Sequence, residues 1–336
     1  MRVLFDHSFP FALAHGGFQI QIEQTAAALR AIGVELEFVR WWDDAQHGDL
    51  IHFFGRPGED YIQQAQAKGR RVVMSELLTA LGSRSATARL VQKSFIQVAR
   101  RVMPAAFTAR MAWNSYRTAD AIIANTPWEA QLMRGMFGAT AEKIHVVSNG
   151  VEEVFLQSTP ARRDSWLVCT ATITPRKRVL ELAEAAVAAR TPTWIIGQPY
   201  SREDAYASRF EQLARAEPQW LRYEGPIQDR GRLAQVYRGA RGFVLLSAME
   251  TLSLSAFEAA ACGCPLLLSD LPWARTVFGD SATYAPVGAS TARTAAALKS
   301  FYERAPGLSA PPPPKTWREI AEQLRAIYER LLSTSR

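Results

Sequence analysis

Short apolar runs alternate along the chain with stretches whose apolar positions recur at helical spacing, and the alternation continues almost from end to end. Runs at 2–5, 34–39, 50–54, 71–74, 121–124 and 143–147 read as strands. Gly16-Gly17 precede a helix that ends near Ala31 and Gly33, and a second helix is expected over 59–68. Thr126, Pro127 and Glu129 open another: Thr126 can cap, Pro127 suits the first turn, and Glu129 can close a capping box. A polar stretch at 157–164 interrupts the pattern. A second series then follows, with strands expected at 166–170, 193–196, 221–223, 242–246 and 265–268. Strand–helix alternation of this kind produces parallel sheets with right-handed crossovers. Two series around a linker predict two doubly wound domains, over 1–156 and 160–315. The prolines at 311–314 form a stiff spacer. The segment 316–336 closes with a helix carrying Ile320, Leu324, Ile327 and Leu331 on one face, and that stripe is expected to pack on the first domain.

Composition narrows the class. With 336 residues, 48% hydrophobic and 21% charged, the chain has the balance of a globular protein and can build two cores. No apolar run approaches the roughly 18 residues that would span a bilayer. The start meets charge at Asp6, which does not fit a secretory signal. Three cysteines, Cys169, Cys262 and Cys264, are an odd and sparse set that fits a reducing, cytoplasmic setting. The five histidines show no spacing typical of zinc ligands.

The net charge of +7 has a local origin. Residues 77–119 contain no Asp or Glu but carry Arg84, Arg89, Lys93, Arg100, Arg101, Arg110 and Arg117, so the rest of the chain is neutral. A patch of this kind argues against nucleic acid, which usually meets basic charge spread through a domain. At about 100° per residue, Arg89, Lys93 and Arg100 fall on one side of a helix and Val91, Phe95, Val98 and Val102 on the other. The apolar side is expected to face the core and the basic side to face out. The basic side is then either a solvated surface or a weak peripheral contact with an anionic membrane or a negatively charged acceptor.

Several nucleotide signatures are missing: no Gly-x-Gly-x-x-Gly follows the first strand, and there is no Walker loop, no Asp-x-Asp and no Gly-x-Ser-x-Gly. The informative stretch is 245–270. Between Glu250 and Asp270 the only charge is Glu258, on a helix that otherwise reads as buried. An unpaired carboxylate there would cost several kcal/mol. Either a distant Arg pairs with it, or its oxygens accept hydrogen bonds from a ligand diol. Glu250 follows the strand 242–246 at its carboxyl end, where ligands of open α/β sheets bind. Free backbone N–H groups near 252–254 suit an anion. Carboxylates and an amide nest together suit a nucleoside diphosphate sugar.

On these residues the chain resembles the retaining glycosyltransferases of family 4, which have the GT-B fold. Glu250 and Glu258 match that family's Glu-x7-Glu motif. Gly16-Gly17 resemble its first phosphate loop, and Asp120 with residues 121–124 its aspartate-led strand. Residues 146–155 resemble the signature ahead of its linker, and 174–178, with Lys177, its lysine loop. Glu224-Gly225, Ser269-Asp270, and Trp317 with Tyr328 also fall in place.

The resemblance implies an α/β GT-B architecture: two Rossmann-like domains facing across a cleft, with the C-terminal helix crossing back to the first. It implies retaining, metal-independent transfer of a sugar from a nucleotide-diphosphate sugar to an acceptor hydroxyl, of the sort used in polysaccharide or glycolipid synthesis. The nucleotide sugar is a co-substrate and no cofactor is expected. Lys177 would neutralise the diphosphate, Glu258 hold the ribose, and Glu250 contact the transferred sugar. Thr172, Arg176, Leu252, Ser253, Leu254, Gly225, Gly16 and Gly17 would complete the donor site.

The chain departs from the pattern in three places. Thr172 stands where the family usually has Arg. Leu252-Ser253-Leu254 replace a glycine-containing triplet. The usual His near Met74 is absent, which leaves His7, His15 and Glu76 as acceptor-side candidates. Other functions open to the chain are a catalytically weak or inactive sugar-binding protein on this scaffold and a GT-B nucleotide-sugar epimerase.

Overall fold

The computed structural model describes residues 1–8, 10–11, 16–157, 163–201 and 203–334, with Ala105 described by its backbone alone. It divides into two compact units, Met1–Gly150 with Trp317–Arg336, and Val151–Thr316.

The first unit holds β1 (Arg2–His7), β2 (Glu35–Phe38), β3 (Leu50–Phe54), β4 (Arg71–Ser75), β5 (Ala121–Ala124) and β6 (Ile144–Val146). They form one sheet in the order β2-β1-β3-β4-β5-β6, every pairing parallel. Successive residues of a strand point to opposite faces, so β1 feeds two cores. Leu4 joins Ile51, Ile62, Met74, Tyr116 and Phe137 on one face. Val3 and Phe5 join Ile22, Leu29, Ile320, Leu324 and Tyr328 on the other. That second face is covered by the helices Gly17–Ala31 and Trp317–Ser333. The apolar stripe of the C-terminal helix is therefore buried against the unit in which the chain begins.

The second unit holds β7 (Leu167–Thr170), β8 (Thr193–Ile196), β9 (Leu221–Tyr223), β10 (Gly242–Leu245), β11 (Leu266–Ser269) and β12 (Thr283–Ala285), in the order β12-β11-β10-β7-β8-β9, again all parallel. The sequence pattern does not announce β12, a three-residue edge strand in which only Ala285 is buried. The helix Glu153–Leu156 also belongs here, because Phe155 is fully buried against Tyr237. The chain enters this unit at Val151 and leaves it at Thr316. These two residues form a parallel bridge, and Val151 N–H donates to the Lys315 carbonyl at 2.9 Å.

The basic helix is turned over relative to the sequence expectation. Ala86–Val102 buries Ile96 and Ala99, while Val91, Phe95, Val98 and Val102 are exposed at 65%, 51%, 58% and 73%. The supposedly outward cations turn toward the protein. Arg100 donates to the carbonyls of Trp113 (2.8 Å) and Phe137 (3.0 Å), the Arg89 guanidinium lies 4.7 Å from the Trp128 ring centroid, and Lys93 is half-buried. Periodicity defines two opposed stripes but not which one meets the core. Here the underlying surface offers carbonyls and an indole face, which suit guanidinium groups better than valines.

A buried polar bridge ties the C-terminal helix to the sheet. His52 on β3 meets the Tyr328 hydroxyl at Nδ1 (2.6 Å) and the Ser75 hydroxyl at Nε2 (2.7 Å). Burial pushes the imidazole pKa down to about 3. The neutral ring is therefore favoured in the folded state, and its contribution is present above the ordinary value near 6.5 and lost as pH falls toward 3. Unfolding by denaturant should show stability declining over that window by up to about 1.4 kcal/mol per pH unit from this group. The gap between wild type and His52→Leu should narrow accordingly. A constant gap from pH 7 to pH 4 would remove His52 as the cause.

Candidate functional site

In the second unit, β7, β8 and β9 succeed one another in one direction across the sheet, and β10, β11 and β12 in the other. The order reverses between β7 and β10, the position of the ligand-binding crevice in open α/β sheets. The residues singled out from the sequence lie on these two loops. The first runs from Ala171 to Arg178 and the second from Leu246 to Ser253, and the Ala248 N–H, donating to the Arg176 carbonyl at 2.8 Å, joins them. The approach is close on the neighbouring side too. A Cβ on Gly197 would stand 1.9 Å from the Ala171 carbonyl oxygen, so only glycine fits after β8.

The loops bring two cations onto one carboxylate. Lys177 Nζ pairs with Glu250 Oε1, and Arg176 Nη1 lies 3.4 Å from the same oxygen while donating to the Met249 carbonyl at 3.1 Å. The Glu250 and Lys177 side chains are largely buried. Two cations on one anion leave the cluster with a net positive charge. Ser247, buried at the end of β10, has a hydroxyl oxygen with no partner among the described residues. Ser253 caps the helix Leu254–Ala261 by accepting the Ala256 N–H at 3.2 Å. Leu252 and Leu254 are half-buried beside it. Thr172 is half-buried on the first loop and takes no part in the ion cluster. Gly225, with φ 82°, accepts the Gly197 N–H at 3.3 Å.

Glu258 has a cation of its own. Arg230, at the start of the helix Arg230–Gly239, pairs with Glu258 and also with Glu152 at 2.7 Å, its guanidinium 4.7 Å from the Phe155 ring centroid. The Tyr237 hydroxyl donates to Glu258 Oε2 at 3.3 Å. Burial pushes the Glu258 carboxyl above its ordinary range, and Arg230 works against that push. Burial also acts to lower the Arg230 guanidinium, but Glu258 and Glu152 outweigh it and hold it raised. The sequence predicts the buried carboxylate and leaves open whether an Arg pairs with it. Neither Arg230 nor Tyr237 carries a local signal, because both reach Glu258 only through the fold.

The first unit holds the remaining candidates. Gly16, with φ 140°, caps the helix that Gly17 begins, and a Cβ on Gly17 would meet open space. His7 ends β1 and stacks on Phe11 at 4.4 Å. Glu76 is held by Arg56 through two contacts of 2.8 Å and by the Tyr116 hydroxyl. His15 lies outside the described residues. No group of three or more His, Cys, Asp or Glu side chains able to hold a metal occurs among the described residues.

Comparison with known proteins agrees with this geometry. Residues 164–304 match the family model described as "Glycosyl transferases group 1", and 49–154 match the model "Glycosyltransferase Family 4". The chain belongs to glycosyltransferase family 4. A D-inositol 3-phosphate glycosyltransferase of Jonesia denitrificans is 32% identical to this family 4 chain over 176 residues, covering 45% of the chain and 41% of the relative. One from Catenulispora acidiphila is 27% identical over 254 residues, covering 65% and 59%. The match thus spans about two fifths of the first relative's length.

Among solved structures, Anabaena HepE in complex with UDP superposes with a TM-score of 0.66 at 15% identity, covering 98% of this chain and 100% of that one. The sucrose-phosphate synthase of Thermosynechococcus elongatus gives 0.66 at 19% identity, covering 99% of each. Together they establish the GT-B fold for this family 4 member.

Arg230 offers a test of the electrostatics. A carboxyl raised by burial loses stability as pH rises through its folded-state value, and removing the compensating cation enlarges that loss. Arg230→Gln should therefore destabilise more at pH 8 than at pH 5 in denaturant unfolding, and adding Glu258→Gln should abolish the difference. Equal penalties at the two pH values would mean that Arg230 does not keep Glu258 charged.

Proposed function

We propose that the protein is a retaining glycosyltransferase that takes a sugar from a nucleotide-diphosphate donor and delivers it to an acceptor hydroxyl without a metal ion. The observation that carries this reading is the meeting of Lys177, Arg176 and Glu250 at the reversal point of the second sheet. A departing nucleoside diphosphate gathers negative charge as the glycosidic bond breaks, and a preorganised cationic cluster in a partly buried site lowers that barrier. Lys177 and Arg176 supply the charge that a metal supplies in enzymes with Asp-x-Asp. Arg176 also supports activity where Thr172 replaces the family's usual Arg. Glu258 accepts from the ribose hydroxyls, with Arg230 keeping it ionised. Glu250, relieved of part of its pairing when phosphate oxygens recruit the two cations, faces the transferred sugar.

The acceptor side belongs to the first unit in this reading. His7, stacked on Phe11, and Glu76, held by Arg56 and Tyr116, are its described candidates. Contact with an anionic membrane remains part of the proposal. Arg89 and Arg100, however, are committed to the protein itself and do not carry that contact.

Incubation with UDP-, GDP- and ADP-glucose should show one nucleotide raising the melting temperature, since binding to the folded state stabilises by mass action. D-inositol 3-phosphate belongs in the acceptor panel on the strength of the relatives. The product anomer, read by NMR, should keep the donor's configuration, and transfer should persist in chelator. Lys177→Ala and Glu258→Gln should each lower transfer at least tenfold. Loss of a transition-state diphosphate contact is worth on the order of 2–4 kcal/mol. Full activity in Lys177→Ala, or strict dependence on added divalent metal, would refute the assignment. Release of an isomerised nucleotide sugar without transfer would identify an epimerase instead.

A further inference from the structure

The first unit contains a cavity that the sugar-transfer reading does not use. It has a volume of about 230 Å³ and lies between one side of the helix Glu59–Ala67 and the segment 39–46 that follows the edge strand β2. Tyr61, Gln64, Ala65 and, at the helix C-cap, Lys68 reach it at the spacing of a single helix face. Leu4 and Ile51, paired across β1 and β3, form its floor. Protein interiors hold few voids larger than one water, which needs roughly 10–15 Å³ on this measure. A cavity of this size is room for a ligand rather than slack in the packing.

The segment over the cavity is held by its own polar bonds. The buried Gln46 amide donates to the Glu37 carboxylate at 2.9 Å and to the Phe38 carbonyl at 3.0 Å, and accepts the Arg40 N–H at 2.8 Å. Arg40 donates to Asp43 at 2.7 and 2.9 Å, and Arg70 donates to the Gln46 carbonyl at 2.7 Å. A loop fixed in this way is preorganised, which lowers the ordering cost of binding.

The lining selects the ligand class. Asp6, Asp43 and Asp44 balance Arg40, Lys68 and Arg70, so the cavity is neutral. The two arginines are committed to Asp43 and to the Gln46 carbonyl. Ala65 and Lys68 bring in the C-terminal end of the helix, whose partial negative charge disfavours phosphate. Asp6, 4% exposed, accepts the Tyr61 hydroxyl at 2.7 Å and the His7 N–H at 2.8 Å and keeps lone pairs for further donors. Trp41 lines the cavity yet is 77% exposed, so it stands at the opening, and Trp42 beside it in the chain is also exposed. Indole left in water next to fixed carboxylates and amides suits a pyranose, which offers an apolar C–H face to the ring and a rim of hydroxyls to planar polar groups.

We infer that this cavity binds a single neutral sugar residue, with Trp41 stacking on its ring and Asp6, Asp44 and Gln64 meeting its hydroxyls. The site is separate from that of transfer. Lys177, Glu250 and Glu258 belong to the second unit, and His7, adjacent to Asp6, lies on the opposite face of β1 against Phe11 and Phe38. Its role is to retain a saccharide, not to convert it. Binding here is read without donor or acceptor, so this inference and the transfer reading can fail independently.

The test uses the full chain carrying 5-fluorotryptophan at its nine tryptophans, with the Trp41 resonance assigned from Trp41→Phe. Methyl glycosides of glucose, galactose, mannose and N-acetylglucosamine are titrated without nucleotide. At least one should move the Trp41 resonance and saturate in the millimolar range expected of one sugar on a small polar site. High salt should leave that affinity unchanged, because the ligand is neutral. Trp41→Ala and Asp44→Ala alter exposed positions, so the fold should be kept, as checked by melting temperature. In saturation-transfer NMR each should weaken binding at least about fivefold, and Lys177→Ala should bind as the wild type does. The inference is overturned if no glycoside moves the Trp41 resonance, or if either cavity variant leaves affinity unchanged. It is also overturned if Lys177→Ala abolishes binding, which would put the sugar at the transfer site, or if uridine or adenosine moves the Trp41 resonance more than any glycoside does.

Discussion

A carboxylate taken out of water must find a cation or give up its charge, and the second unit buries two of them at one end of one sheet. Glu250 is answered by Lys177 and Arg176, and Glu258 by Arg230. Each answer comes from a different part of the chain, so the two pairings hold the loop after β7, the loop after β10 and the helix after β9 in register. In the proposed function, the charges that hold these loops together are the ones a diphosphate and a ribose would contact. Recognition in such a site exchanges partners rather than creating new charge, which keeps the desolvation cost low when ligand arrives.

The parallel topology makes this concentration possible. Every strand ends on the same side of its sheet, and the order reverses between β7 and β10, the position of the ligand-binding crevice in open α/β sheets. The close approach of Gly197 to Ala171 and the bond from Ala248 to Arg176 keep the two loops together. Distance from the crevice relaxes these demands. β12 at the edge is short and only Ala285 of its three residues is buried, while Cys262 and Cys264, after the helix Leu254–Ala261, have thiols that burial pushes up to about 12 and act as small apolar residues rather than reactive groups.

Much of this was legible in the sequence, for identifiable reasons. Eleven of the twelve strands announce themselves as short apolar runs, most clearly the central ones such as β3, β5, β10 and β11, which are buried along their whole length. Glu258 stands out because it is the single charge in an apolar stretch. The loop carrying Lys177 stands out because three cations are adjacent just after a strand. What escaped depends on contacts made at long range. Arg230 and Tyr237 reach Glu258 across 28 and 21 residues, and His52 meets Tyr328 across 276. The sense of the helix Ala86–Val102 escaped for a different reason. Its two stripes are equally regular, and the choice between them is made by the carbonyls of Trp113 and Phe137 and the ring of Trp128, which no window around the helix contains.

The return of the chain at Trp317 has a consequence for synthesis. Ile320, Leu324 and Tyr328 are built into the core that holds Val3 and Phe5, so the unit containing β1 lacks part of its interior until the helix Trp317–Ser333 has been made. The second unit has no such debt. Its entry and exit are joined at Val151 and Thr316, and all six of its strands precede residue 286. On the ribosome the order of completion is therefore reversed. The inserted unit can close first, while β1 and β3 keep one face uncovered until the helix Trp317–Ser333 has emerged.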